Sequence, residues 1–263
     1  MRLPAAKKEL GQHFLVDENI LGVIGRLAEL APQDVVLEVG PGLGVLTAYL
    51  AAKVTHVHAV EIDRSLEAAL GERLTGRDNV ELHFGDALRL DLAGLDPAPT
   101  KLVSNLPYSV ATPIVVESLD GLPSVGLWCV MVQREVADRF FAEPSTKAYG
   151  AVSVLIQLAA ERTGFHPVSR TVFRPRPNVD SALVAFRRRG NSDISGLTRV
   201  KETVTAAFAH RRKRLANSLE LSGLVPRDRA AAALAEIGRD ENVRAEELAP
   251  PEFLALAEAL RRE

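Results

Sequence analysis

Four consecutive residues, Asn105-Leu106-Pro107-Tyr108, place an amide oxygen, a proline-fixed carbonyl and an aromatic ring within one turn. Such a set suits an amine that is a poor nucleophile because its lone pair is delocalised into a ring, as in the exocyclic nitrogen of adenine. Hydrogen bonds from its N–H groups to the Asn105 side-chain oxygen and the Leu106 carbonyl would push that lone pair toward an electrophile. Pro107 has no N–H and a fixed φ, so it holds the turn and keeps the preceding carbonyl aimed. The Tyr108 ring can stack on the base and favour developing positive charge through its face. No strong base is required, because the amine becomes acidic once methylated. Alignment of nucleophile, methyl and leaving group is the chief contribution.

A second constellation lies upstream. Glu38-Val-Gly-Pro-Gly-Leu-Gly44 follows an apolar run and opens a helical one. Glycines at 40, 42 and 44 allow tight turns and close approach of a ligand. Val45 breaks the G-x-G-x-x-G fingerprint, which argues against a nicotinamide-dependent dehydrogenase. Glu61 ends the next strand, where a carboxylate accepts hydrogen bonds from ribose hydroxyls. Asp86, in Gly85-Asp86-Ala87 after the third strand, is placed to accept from an adenine amino group. Three such features at successive strand ends describe an adenosyl site at the carboxyl edge of a sheet.

Hydrophobic periodicity supplies the elements that position these residues. Segments 34–40, 55–63, 79–87, 101–108 and 125–133 read as strands. Helices are expected at 42–53, at 65–74 with Ser65 as N-cap, and around 111–119, with an amphipathic helix ahead of them at 17–30. Alternation of this kind predicts an α/β fold with a parallel sheet covered on both faces. Beyond it, REVADRFFAE and YGAVSVLIQLAAE read as helices. GFHPV and SALVAFRRR read as strands around the proline-broken loop FRPRPNVDS. The polar stretch 190–196 marks the expected boundary between a catalytic domain, 1–190, and a small all-α domain, 191–263, in which 210–214 opens a helix.

Composition excludes several classes. A chain with 47% hydrophobic and 25% charged residues is an ordinary globular protein. No apolar run is long enough for a membrane span, and none follows the basic N-terminal residues as a secretory signal would. Cys129 is the single cysteine, so no intrachain disulfide forms; it reads as a packing residue in a protein of the reducing cytoplasm. The six histidines show no ligand spacing with each other or with Cys129, so no metal is expected. The net charge of −2 hides an asymmetry: residues 169–214 hold twelve Lys/Arg against three Asp/Glu, a balance of +9 that leaves −11 elsewhere. A basic segment of that kind suits phosphate neutralisation, with Arg170, Arg174, Arg176, Arg187–Arg189 and Arg211–Arg214 as its candidates.

The blocks GQHFL (11–15), EVGPGLG (38–44), AVEIDR (59–64), GDAL (85–88), NLPY (105–108), VQREVADR (132–139), KAYGAVSV (147–154), FRPRPNVDSALV (173–184) and HRRKRLANSL (210–219) occur in this order over nearly the whole chain. In them the sequence resembles the KsgA/RsmA (Dim-type) rRNA adenine dimethyltransferases, relatives of the Erm 23S rRNA methyltransferases. The resemblance implies a Rossmann-like class I fold that uses S-adenosylmethionine. It implies dimethylation of N6 on two adjacent adenosines near the 3′ end of 16S rRNA in the 30S subunit, a role in small-subunit biogenesis, and a protein that works as a monomer. By the same resemblance His13, Leu15, Gly40, Gly42, Glu61, Ile62, Asp86, Ala87 and Asn105 hold the cofactor, and Phe173 faces Tyr108 across the target base. His13 stands where many relatives have asparagine, and Ser104 where glycine is frequent. Two other readings remain open: an Erm-type enzyme acting on 23S rRNA, and a non-catalytic assembly factor, against which the intact Asn105, Pro107 and Tyr108 speak.

Overall fold

A computed structural model describes residue 7 and residues 10–190 and 194–262. Contacts divide the chain into one unit made of Met1–Ala137 and Arg162–Arg188 and another made of Asp138–Glu161 and Arg189–Glu263. Residues 191–193 of the expected boundary lie outside the described residues.

The first unit is built on a seven-stranded sheet with the order β4-β3-β2-β5-β6-β9-β7. Its strands are β2 (Val35–Val39), β3 (His56–Glu61), β4 (Val80–Phe84), β5 (Lys101–Asn105), β6 (Leu127–Gln133), β7 (Ala160–Val168) and β9 (Ser181–Arg188). Strands β2 to β6 pair in parallel because a helix or long loop separates each from the next. β9 runs antiparallel to β6, and so departs from the all-parallel expectation. It is reached through a proline-rich loop and carries no crossover helix before it. A two-stranded ribbon, β1 (Phe14–Leu15) with β8 (Phe173–Arg174), ties the N-terminal segment to that loop.

Alternation along the strands feeds both faces of the sheet. Val36, Val103, Cys129 and Met131 share a core with Leu21 and Ile24 of α1 (Asn19–Leu27) and Leu46 and Leu50 of α2 (Val45–Ala51). Trp128 points the other way, where its Nε1–H donates to Ser118 Oγ of α4 (Ala111–Gly121) at 2.8 Å. Cys129 is fully buried, and burial pushes its thiol up to about 12, as a packing role requires. The helix expected at 65–74 starts as a 3-10 turn, Arg64–Leu66, and continues as α3 (Glu67–Arg73). Its cap is Asp63, not Ser65: the Asp63 carboxylate accepts from the Ser65 N–H.

The second unit is helical, with α6 (Ala151–Ala159), α7 (Ile194–Ala209), α8 (Leu215–Leu221), α9 (Arg227–Glu236) and α10 (Pro250–Ala259). Leu219, Leu234, Phe253 and Tyr149 are buried in it, and the Tyr149 hydroxyl donates to the Leu248 carbonyl at 2.8 Å. Residues 211–214 form a turn ahead of α8 and not its first turn, with Arg214 at the N-cap. Among the described residues no helix is long and apolar enough to cross a membrane.

Candidate active site

The carboxyl ends of β2, β3 and β5 converge on one cleft in the first unit, and that of β4 on a hollow beside it. After β2 the chain turns through Gly40, Gly42 and Gly44, all at positive φ, which only glycine adopts without strain. A side chain at position 40 would lie 3.1 Å from Pro107 Cδ, and one at 42 would lie 3.0 Å from Phe14. The loop is therefore fitted against the Asn-Leu-Pro-Tyr turn on one side and the N-terminal strap on the other. Two bonds latch it to β3: Gly40 N–H donates to the Val60 carbonyl, and Gly42 N–H to Glu61 Oε2 at 3.0 Å.

Glu61 is buried, and its second oxygen accepts from the Asp63 N–H at 2.9 Å. Burial raises its carboxyl above the usual range, partly offset by those backbone donors. Ile62 beside it is exposed and lines the cleft. Gly85, Asp86 and Ala87 follow β4 and, with Val110 and Pro107, wall an adjoining hollow that also opens onto Glu61 and Ile62. One Asp86 oxygen accepts from the Leu88 N–H, and the other lies 3.4 Å from Arg89 Nε.

Asn105 is the last residue of β5, and the Leu106 N–H donates to the Met131 carbonyl of β6 at 3.1 Å. Ser104 has a clear task here. The β2–β5 ladder pairs only Val36 with Lys101 and Leu37 with Leu102, and the Ser104 hydroxyl then accepts the Val39 N–H at 2.9 Å. That side-chain bond keeps β2 and β5 in step up to the glycine loop. The Asn105 side-chain nitrogen donates to the His13 carbonyl at 3.3 Å. The Tyr108 hydroxyl is 2.6 Å from Ser181 Oγ, and burial raises its pKa, so the ring is held as a neutral phenol. His13 Nδ1 donates to the Pro175 carbonyl at 2.7 Å, and its ring meets Tyr108 with centroids 5.6 Å apart.

Of the residues expected at the site, His13, Gly40, Gly42, Glu61, Ile62, Asn105, Leu106, Pro107 and Tyr108 line the main cleft, while Asp86 and Ala87 line the hollow beside it. Leu15 is buried and borders a third hollow, with Glu38 and Gly42. Phe173 is placed differently. Only 2% exposed, it pairs in register with Leu15 and belongs to the core of the sheet, and it lines none of these three hollows. Among the described residues, the ring that meets Tyr108 is that of His13.

Two participants were not singled out from sequence. Glu38 is 1% exposed and its Oε2 accepts no well-formed hydrogen bond; burial, and less so Glu61, push its carboxyl up to about 8 against the opposing pull of the Thr47 hydroxyl that faces it. Asp63 clasps the strap, accepting from Lys7 Nζ at 2.6 Å and Gln12 Nε2 at 2.8 Å. Burial alone would raise its carboxyl, but the donors from Lys7, Ser65 and Gln12 outweigh it and hold the group well below the usual carboxylate range.

The basic residues divide into two kinds. Arg188 donates to the carbonyls of Val125, Leu119 and Leu122 at the end of α4 and lies over the Trp128 ring. Arg187 pairs with Glu29, Arg189 with Glu161, and Arg211 with Glu246. Arg174 and Arg176 in the first unit and Arg212, Lys213 and Arg214 in the second are exposed.

A mixed sheet whose parallel strand ends bring a glycine loop, a buried carboxylate and an Asn-Leu-Pro-Tyr turn to one cleft is the framework of a Rossmann-like class I methyltransferase. Comparison with known proteins narrows the class. Residues 4–262 match the family described as ribosomal RNA adenine dimethylase, and the chain belongs to that family of S-adenosylmethionine-dependent enzymes. It is 48% identical to the ribosomal RNA small subunit methyltransferase A of Rubrobacter xylanophilus, over 97% of this chain and 95% of the relative. The protein of the same name from Lactiplantibacillus plantarum is 44% identical over 97% of this chain and 90% of its own. Among solved structures, a dimethyladenosine transferase from Plasmodium falciparum has the same fold, with TM-score 0.76 at 24% identity over 93% of this chain and 96% of that one. The 23S rRNA methyltransferase ErmE gives 0.66 at 31% identity, over 95% of this chain and 100% of its own.

Proposed function

We propose that this protein dimethylates N6 of two adjacent adenosines near the 3′ end of 16S rRNA, acting as a cytoplasmic monomer on the small ribosomal subunit during its biogenesis. The observation that carries the reading is the orientation of Asn105. Its NH2 group is given to the His13 carbonyl, so its oxygen is the part of the amide left to accept a proton from a substrate amine.

The residues present fit S-adenosylmethionine. The glycine loop leaves room where a side chain would meet Phe14 or Pro107. Glu61 offers a carboxylate to ribose hydroxyls, and Asp86 an acceptor to the adenine amino group. The buried Glu38 carboxyl borders the loop with one oxygen unpartnered, and a cationic ligand would favour its ionised, accepting form. Leu15 and His13, which border the neighbouring hollows, would cover its methionine end. Bound there, S-adenosylmethionine supplies an electrophilic methyl group on a sulfonium.

The chain's own residues then orient the nucleophile. Asn105 Oδ1 and the Leu106 carbonyl accept the two N–H hydrogens of the adenine amine, and the Tyr108 and His13 rings offer faces on which the flipped base stacks. Held so, the amine lone pair would face the methyl group that such a cofactor supplies, and one N–H proton would pass to solvent. A second round uses the remaining N–H. Alignment and these acceptors carry the rate. Exposed arginines grip RNA backbone by charge and shape.

The test is methyl transfer from labelled S-adenosylmethionine to unmethylated 30S subunits and, in parallel, to 23S RNA, with mapping of the product base. Dimethyladenosine in 16S rRNA supports the proposal. Label confined to 23S RNA would overturn it in favour of the Erm-type activity.

A further inference from the structure

The outer edge of the sheet carries a cluster that methyl transfer does not use. His56 and His58 alternate on β3, and Glu81 and His83 on the edge strand β4. In the parallel register His58 lies opposite Glu81, so the period of two puts all four side chains on one face. The ligand atoms of His56, His58 and Glu81 lie within 4.8 Å of one another. Glu81 Oε2 is 3.6 Å from His58 Nδ1 and 3.8 Å from His56 Nε2. His83 Nε2 is 3.1 Å from His58 Nδ1 and 3.8 Å from Glu81 Oε1.

Two features of this cluster point to a cation. His58 is fully buried, with Nε2 2.9 Å from the Pro97 carbonyl. A carbonyl only accepts, so Nε2 carries the proton and Nδ1 turns its lone pair toward the other three groups. Metal-binding histidines are oriented in this way, with the second ring N–H given to a backbone carbonyl. In addition, His56 Nε2 is buried with no hydrogen-bond partner, although Glu81 faces it. A buried polar atom left so is costly unless something fills the gap.

We propose that His56, His58, Glu81 and His83 bind one divalent cation of the zinc type. Three imidazole nitrogens and one carboxylate oxygen form a donor set of intermediate softness, which zinc prefers. Zinc–nitrogen bonds of ~2.0–2.1 Å in a tetrahedron put neighbouring ligand atoms roughly 3.3 Å apart. His56, His58 and Glu81 already have their ligand atoms within 4.8 Å of one another, and His83, 3.1 Å from His58 Nδ1 and 3.8 Å from Glu81, completes the set by a small shift of its ring. Four protein ligands close the coordination sphere, so the role is structural. The ion ties β4 to β3, and the carboxyl ends of these two strands deliver Asp86 and Glu61 to the cofactor cleft. Little in the linear sequence announces the site beyond the His-x-His alternation, because half of it comes from the neighbouring strand.

The test uses the untagged full chain, stripped of metal by chelation and titrated with Co2+ and then Zn2+. One ion per chain, the intense visible bands of four-coordinate Co2+ and their loss on adding Zn2+ are expected. At a free concentration one hundred times Kd, Zn2+ raises the folding equilibrium constant about 100-fold, read as a higher unfolding temperature. Glu81→Gln and His56→Gln sit at partly exposed positions and keep the circular dichroism of the parent. Each weakens binding by more than the roughly 10–100-fold that loss of a second-shell partner costs. Absence of stoichiometric binding, or binding that either variant retains in full, overturns the proposal and leaves a hydrogen-bonded histidine cluster only.

Discussion

The Asn105 side-chain nitrogen donates to the backbone carbonyl of His13, 92 residues away in the chain, at 3.3 Å. This contact decides which end of the amide faces the cleft. It also makes the orientation of the proposed acceptor depend on the N-terminal strap being in place. Replacing Asn105 by Ala removes an oriented acceptor and is expected to lower kcat by about 10²–10³, the range seen when a single polar group of a preorganised site is deleted. Asn105→Asp keeps an oxygen but sets a carboxylate against the His13 carbonyl, so it falls as well. Single-turnover methyl transfer with saturating RNA reads this directly, and turnover at the parental rate in Asn105→Ala would remove the residue from the reaction.

Gly42 sits at φ +58°, and a side chain there meets Phe14 at 3.0 Å. Gly42→Ala is expected to cost ~1–2 kcal/mol from the left-handed backbone alone. The displaced Phe14 loosens the strap, so cofactor affinity falls further than stability does. Calorimetric titration with S-adenosylmethionine, set beside denaturant unfolding, separates the two losses. A variant that loses stability but binds cofactor as tightly as the parent would show that the strap plays no part in the cleft.

The sheet and the cleft residues were legible in the sequence for one reason. Three strands end at or just before a polar group that borders the cleft or the hollow beside it, and period-two apolar runs locate strand ends within a few residues. Glu61, Asp86 and Asn105 are found that way. What escaped depends on partners distant in sequence. Phe173 reads as an aromatic in a proline-stiffened loop, yet β8 pairs with β1 and draws its ring into the core beside Leu15. The antiparallel turn of β9 has no local signature. Arg188 looks like the middle of a basic run, and only the fold shows the end of α4 receiving it. The lone oxygen of Glu38 is invisible until the residues around it are in place.

Glu38 makes stability depend on pH. Its folded pKa is raised to about 8 from an ordinary 4.5, so between those values the folded state holds a proton that the unfolded state has lost. Stability therefore falls as pH rises through that window, with a slope of at most about 1.4 kcal/mol per pH unit from this group. Glu38→Gln removes the slope and is expected to gain on the parent from pH 5 to pH 8. A cationic ligand favours the ionised carboxylate, so cofactor binding by the parent releases a proton near pH 7 and the Gln variant releases less. Unfolding curves across the window and titrations in buffers of different ionisation enthalpy check both claims. Parallel stability profiles for the two proteins would contradict the assignment.

Asp63 acts with the opposite sign. Its folded pKa lies below the unfolded value, so its contribution is present above the unfolded carboxylate range and is lost as pH falls toward the folded value. Asp63→Asn retains a hydrogen-bonding group but gives up the charge that Lys7 and Gln12 share. The strap is then expected to open locally without global unfolding. Faster amide exchange at Phe14 and Leu15, with exchange in β5 and β6 unchanged, is the signature. Uniformly faster exchange would assign Asp63 to the core and not to the clasp.

The two kinds of arginine give the sharpest contrast. Arg188 satisfies three carbonyls at the end of α4 and stacks over Trp128. Arg188→Ala leaves those acceptors without their charged donor and is expected to cost at least roughly 1.5–3 kcal/mol of stability. Arg174 and Arg176 are exposed at the proline-rich loop whose Pro175 carbonyl holds the His13 ring. Changing either to Ala is expected to leave stability within about 0.5 kcal/mol. Each change should weaken RNA binding and reduce the slope of log affinity against log salt by about 1, because one phosphate contact is lost. Affinity measured over a salt series, with unfolding curves for the same three variants, places each side chain in one class. An unchanged salt slope in both exposed variants would mean that RNA is gripped elsewhere, and Arg212, Lys213 and Arg214 ahead of α8 would be the next positions to change.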